Sequence, residues 1–212
     1  DFVPLNTNVR FQGLQSGEVD LLSRQTTMTF SRDTSLGLDF APVVFYDGQG
    51  LMVASKLGVK SAAELSQSAV CILPGTTTLQ NLEDYFKPRN IKYEAVVFEN
   101  PDEWRNAFFS GRCDVITTDR SDLASVRAIA NDPKQYVILP ETISKEPLTP
   151  SVRQGDDQWF DIVQWVQFAT MEAEERGITS ANVDEALKSE DPNVKRMLGV
   201  TPGMGAALGL DE

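Results

Sequence analysis

Three short polar stretches carry side chains able to hold an ion. In SRQTTMTFSRDTSLGLDF, Arg24, Thr27 and Arg32 follow an apolar run. A guanidinium beside a hydroxyl can grip a carboxylate through parallel hydrogen bonds. Asp33 and Asp39 lie close in sequence, so an exposed ion pair contributing about 0 to 1 kcal/mol is the competing reading for Arg32. In PGTTTLQNL, Gly75 permits a tight turn, and Thr76, Thr77 and Thr78 offer hydroxyls and free amides at a helix start. Such a terminus favours an anion, although ordinary N-capping explains threonine there equally well. In SGRCDVITTDRSDL, Asp119 stands just beyond a strand. It can cap the helix that begins near Ser121, or it can meet an ammonium group, a metal ion or a proton.

Composition removes several classes of chemistry. The chain of 212 residues contains no histidine, and so lacks the usual general base, triad partner and commonest transition-metal ligand. Its two cysteines cannot build a structural zinc site. No catalytic residue, metal or cofactor is assigned. Acidic residues outnumber basic ones 31 to 19, for a net charge of −12, which repels nucleic acid and anionic membrane surfaces. No apolar run reaches bilayer-spanning length and no leader precedes Asp1, so the expectation is a soluble chain without a signal peptide. Cys71 in AVCILPG and Cys113 in GRCDVI each begin an apolar run. Neighbouring strands can bring them within bridging distance, and two buried free thiols are the alternative.

The elements that must position these residues alternate. FVPL reads as a strand, Thr7 or Asn8 as the cap of a short helix ending at LQSG, and VDLLS as the next strand. The pattern recurs as AVCILPG, then TTTLQNLEDYF with Leu79, Leu82 and Phe86 on one face, then YEAVVF, WRNAFFSG and DVITT. That order predicts an α/β fold with a mostly parallel sheet covered by helices. Two extended runs, FYDGQGLMVAS and YVILPETISKEPLTP, cross between the two sets and suggest two lobes. DDQWFDIVQWVQFATMEAEERG then predicts a long helix with Trp159, Ile162, Val166, Ala169 and Ala173 inward and Gly177 as its stop. Ser180 caps ANVDEALKS, and Asp191 with Pro192 opens a helix closed by Gly199. TPGMGAALGLDE reads as a flexible tail.

An arginine and a helix N-terminus suit an α-carboxylate, and an aspartate suits an α-ammonium, which together describe a free amino acid. Burying such a zwitterion is costly unless every charge is paired, so the residues must converge from both lobes.

The stretches LQSGEVDLLSRQTTMTFSRDTSLGLDFAPVVFYDGQGLMV, LPGTTTLQNLEDYF, SGRCDVITTDRSDL and ISKEPLTPSVRQGDDQWFDIVQW resemble the periplasmic solute-binding proteins of amino-acid ABC transporters, in the general L-amino-acid-binding branch of family 3. The likeness extends over nearly the whole chain. It implies a type II periplasmic-binding fold, each lobe a mostly parallel sheet flanked by helices, joined by a two-strand hinge. Residues 1–50 and 150–212 would form the first lobe and residues 51–149 the second. It implies that Thr27, Arg32 and Thr77, with Gly75 and Thr76 beside them, hold a ligand carboxylate, that Asp119 holds its ammonium group, and that Cys71 and Cys113 form a disulfide. Tyr46, Gln49 and Trp104 are candidates for lining the cleft, with packing as the alternative.

The resemblance implies binding of polar L-amino acids, delivery to an ABC permease in the inner membrane, and a periplasmic location in a Gram-negative bacterium. The family begins with a further strand and helix and continues past Glu212, so the expectation is a truncated core, with an uncovered sheet edge that invites a strand-exchanged homodimer. The alternatives are a fragment that keeps the fold without binding and a dehydratase-like enzyme on the same scaffold.

Overall fold

A computed structural model describes residues 1–210. In chain order it contains α1 (Arg10–Ser16), α2 (Phe30–Ser35), β1 (Leu38–Phe40), β2 (Phe45–Asp47), β3 (Gln49–Ala54), β4 (Ser68–Ile72), α3 (Thr78–Phe86), β5 (Tyr93–Val97), α4 (Pro101–Phe109), β6 (Val115–Asp119), α5 (Arg120–Ala128), β7 (Tyr136–Ile138), β8 (Glu146–Leu148), β9 (Ser151–Arg153), α6 (Asp157–Glu175), α7 (Val183–Ala186), α8 (Pro192–Met197) and α9 (Met204–Ala207). No helix among the described residues is long and apolar enough to cross a membrane.

Strands β5, β4, β6, β3 and β7 form one sheet in that order. β4 runs parallel to β5 and β6, while β3 is antiparallel to both β6 and β7, so four of the five strands point one way. The apolar runs in the middle of this sheet are buried on both faces, as expected of strands sandwiched between helices. Leu51, Val53, Val70, Ile72 and Val115 face Leu82 and Phe86 of α3. Met52, Cys71 and Ile116 face Trp104, Ala107 and Phe108 of α4 and Leu123 and Val126 of α5. Leu79, expected on the inner face of α3, is exposed. Asn100 caps α4 through its side-chain oxygen, which accepts from the Asp102 and Glu103 amides, with Pro101 in the first turn.

Cys71 and Cys113 are joined in a disulfide with their Cα atoms 5.7 Å apart. Cys71 lies in register with Ile116 of the adjacent strand, which sets the Cys113 turn beside it and decides between bridge and free thiols.

Around the other end of the chain the sequence reading needs correction. FVPL makes no strand, and VDLLS contributes only a single bridge, Leu22 to Ser151. β9 pairs with β1 through one edge and with Leu22 through the other, and Pro4 can donate nothing to a ladder. The strands described here are therefore one short antiparallel pair. α1 starts at Arg10 with Val9 at its cap and no side-chain cap bond, although Gly17 stops it in the left-handed conformation as expected. α6 turns Val163 and Gln167 inward, not Val166, because its inner side packs on Ala41 and Val152. Asn182, not Ser180, occupies the cap of α7, while Asp191 and Pro192 open α8 as the sequence indicates.

The two crossings meet as an antiparallel pair, β2 with β8, in which Asp47 opposes Glu146. They connect the sheet with the segments carrying α1, α2, β1, β9 and α6, and between those two bodies lies a cleft.

Candidate functional site

Polar side chains from loops and helix ends line the cleft from two sides. Thr7, Arg10, Arg24, Gln25, Thr27 and Arg32 line it from the α1–α2 side. Leu73, Thr76, Thr77, Thr78, Thr117, Thr118, Asp119 and Asp122 line it from the sheet side. The free space between them is about 50 Å³. At about 10–15 Å³ per water-sized group, that is room for a compact polar head group.

The three arginines of the first wall make no ion pair within 4.0 Å among the described residues. They are held by backbone carbonyls instead. Arg32 donates from Nη1 to Thr27 O at 2.8 Å and from Nη2 to Gly75 O at 3.4 Å. Arg10 donates to Gln25 O at 2.8 Å and to Gly75 O at 3.2 Å, and Arg24 to Leu5 O at 2.6 Å. The Arg10 and Arg32 guanidinium groups both lie about 5 Å from the Phe11 ring centre, a separation at which a cation is attracted to the ring face. Burial lowers the pKa of all three, and that of Arg10 reaches about 9 with Arg32 and Arg24 adding to the effect. Asp119, Asp122 and Glu146 offset part of that effect without forming an ion pair, so an anion in direct contact with the guanidinium groups would still be favoured. The exposed ion pair considered for Arg32 is therefore absent.

Gly75 brings the two walls together. Its φ is +69°, and a Cβ there would fall 2.4 Å from Thr7 O and 2.9 Å from Asn8 Cα. Only glycine combines that backbone conformation with so close an approach. Asn8 adds a bond across the cleft from Nδ2 to Glu99 Oε2 at 2.6 Å.

Thr77 occupies the N-cap position of α3 but makes no capping bond. Its hydroxyl donates to Glu146 Oε2 at 3.0 Å, and the Thr27 hydroxyl donates to the same oxygen from the opposite wall. Thr76 donates to Leu73 O at 2.8 Å and accepts from the Thr78 amide at 3.2 Å.

Asp119 is the residue before α5 and likewise makes no cap bond with its side chain. The α5 terminus is served by Asp47, whose Oδ2 accepts from the Ser121 amide at 3.3 Å. The capping account of Asp119 thus fails. Its carboxyl is pushed up to about 7, first by burial and then by Glu146, Asp47 and Asp122, with Arg10 opposing. An ammonium group placed there would relieve that repulsion.

Sequence reasoning missed Arg10, Glu146 and Asn81. Arg10 sits on a short helix whose spacing gives no sign that a charge points inward, and Glu146 lies in an extended run read as a connection. Of the other candidates, Trp104 is core: it is 1% exposed and its Nε1 donates to Cys71 O. Tyr46 is exposed on β2 and does not line the cleft. Gln49 is buried beneath the cleft, donating to Thr117 Oγ1 at 2.9 Å and Thr78 O at 3.2 Å. Among the described residues no group of three or more metal-ligating side chains is arranged to hold an ion.

No family model matches the chain. Individual relatives do. The general L-amino acid-binding periplasmic protein AapJ of Rhizobium johnstonii is 56% identical over 211 residues, 99% of this chain and 62% of that protein. The glutamate/glutamine/aspartate/asparagine-binding protein BztA of Rhodobacter capsulatus is 51% identical over 212 residues, 100% of this chain and 63% of that protein. The chain thus spans less than two thirds of the length of these relatives. A solved ABC-transporter periplasmic binding protein from Brucella ovis, with glutathione bound, superposes with a TM-score of 0.94 at 52% identity, covering 100% of this chain and 67% of that one.

Proposed function

This chain belongs to the periplasmic amino-acid-binding proteins of ABC transporters, and from that premise we propose that it binds polar L-amino acids in the cleft and presents them to a membrane permease. The observation that carries the reading is the convergence of Arg32 and Asp119 on one small cleft, neither spent on a neighbouring charge or cap. Arg32 and Arg10, with the amides at the start of α3, receive the α-carboxylate, and Asp119 receives the α-ammonium. Gly75 and Thr76 shape that terminus, and Thr27 and Thr77 flank it.

In this reading residues 1–50 and 150–212 form one lobe and residues 51–149 the other, with β2 and β8 as the hinge. The ligand stabilises the closed arrangement, and the closed surface is what an inner-membrane permease recognises. The location is the periplasm of a Gram-negative bacterium, where a disulfide such as Cys71–Cys113 persists. The relatives are named as binding proteins, not enzymes, which favours capture over turnover.

A thermal-shift panel of the L-amino acids tests this, because a ligand bound by the folded state alone raises the melting temperature by mass action. Polar amino acids should raise it, and Asp119→Ala should remove the shift, since truncating one partner of a buried charge pair costs about 2–5 kcal/mol. A cooperative melt unmoved by any amino acid would refute the proposal.

A further inference from the structure

Glu146 sits on β8, in the hinge pair, and is 1% exposed. No lysine or arginine forms an ion pair with it among the described residues. Arg32 acts on it without contact, and a carboxylate this buried persists only where donors surround it. Four do. Oε2 accepts from the Thr27 and Thr77 hydroxyls, and Oε1 from Asn81 Nδ2 at 2.7 Å and from the Ser144 hydroxyl. Thr27 lies on the α1–α2 side of the cleft, Thr77 and Asn81 on the first turns of α3 across it, and Ser144 in the returning crossing. Asn81 donates in turn to Gln49 Oε1 at 2.9 Å, carrying the network into the sheet.

We propose that Glu146 is a positioning residue of the cleft: one carboxylate on which both walls close, which holds Thr27 and Thr77 in place and ties the hinge to the ligand site. The inference rests on the amino-acid-binding reading only for its effect on affinity. It also restricts how the ligand is held. A hydroxyl carries a single proton, so Thr27 and Thr77 cannot give theirs to Glu146 and to a ligand carboxylate together. In the closed state the ligand carboxylate therefore takes its charge-assisted bonds from the arginines and the α3 amides, while the two threonines serve the brace.

The test is Glu146→Gln. The amide keeps the shape but presents an NH2 where an acceptor stood, so it opposes one pair of donors. Small-angle scattering of the ligand-free variant should give a larger radius of gyration than the wild type, and calorimetry with L-glutamate and L-glutamine should show affinity lowered tenfold or more, which is about 1.4 kcal/mol. Thr77→Val, which removes one donor from a partly exposed position, should move both quantities in the same direction by less, and it decides the matter should Glu146→Gln fail to fold. A folded variant with a lower melting temperature but unchanged compactness and affinity would reduce Glu146 to a packing residue and overturn the proposal. If the wild type binds no amino acid of the thermal-shift panel, the binding reading falls, and compactness alone then upholds or overturns the brace.

Discussion

Around the five-stranded sheet, α3 covers one face and α4 and α5 the other, and each face is sealed by an extended cluster of fully buried aliphatic and aromatic side chains. Around β1 and β9 the corresponding clusters are small: Leu14, Leu22 and Leu38 in one, Ala41, Val152 and Val163 in the other. Phe30, at 84% exposure, and Trp165, Val166 and Phe168 stand at the surface there. Where apolar burial is thin, guanidinium groups bind carbonyls. Arg153 donates to Leu14 O and Val19 O and pairs with Asp20, Trp159 donates to Asp20 O, and Arg10, Arg24 and Arg32 each hold a loop carbonyl. The sheet side is a scaffold that owes its order to hydrophobic burial, and the facing side is a set of loops ordered by polar ties. The cleft's cations all come from the second, as expected when a rigid body presents one half of a site and adjustable loops the other.

The sharpest way to break this comparison is to make equivalent cavities. Leu82→Ala removes a fully buried side chain from the larger core and should fall near the high end of the range of about 2–5 kcal/mol, whereas Leu38→Ala should fall near the low end because a thin core collapses more easily onto the gap. Denaturant melts of the two variants check it, and equal losses would mean that the small clusters are as tightly packed as the large ones.

Removing the disulfide comes next. It closes a separation of 42 residues within the sheet scaffold, and cross-link entropy of that size is worth about 4 kcal/mol. Cys71→Ala with Cys113→Ala should therefore lower the melting temperature by about 10 °C, at about 2–4 °C per kcal/mol, and hydrogen exchange should accelerate in β4 and β6 before it does in α6.

A smaller effect separates the two sides by pH. Asp119 holds its proton up to about 7 in the folded protein against 3.8 as the ordinary value. Folding therefore takes up a proton between those values, so this group's contribution to stability falls as pH rises from 3.8 to about 7 and is level above. Asp119→Asn should flatten that part of the stability profile. An ammonium ligand should draw the proton off, so amino-acid affinity in the wild type should increase between pH 5 and 8.

Smallest of all, Val166→Ala on the outer side of α6 should change stability by less than about 0.5 kcal/mol. A larger loss would mean that the exposed apolar side of that helix is packed in solution.

Local signals account for the scaffold. The β-branched runs that became β4 and β6 need only neighbours in sequence, as do the cap at Asp191 and the stops at Gly17 and Gly177 on the facing side. Of the cleft lining, Arg32, Thr77 and Asp119 were legible as polar residues beside turns. Arg10 was not, because its burial is created by loops at Gln25 and Gly75, and a two-turn helix carries too little pattern to point inward.

By itself, the sequence determined an α/β chain, a net charge of −12 and several of the polar residues that line one cleft. Only the tertiary structure decided that Asp119 does not cap α5, that Asp47 does, that the two cysteines meet, and that Glu146 gathers Thr27, Thr77, Asn81 and Ser144. Periodicity and caps are properties of consecutive residues, whereas these contacts join positions as far apart as Thr27 and Glu146, and their geometry exists only once the sheet and the hinge have set the distances.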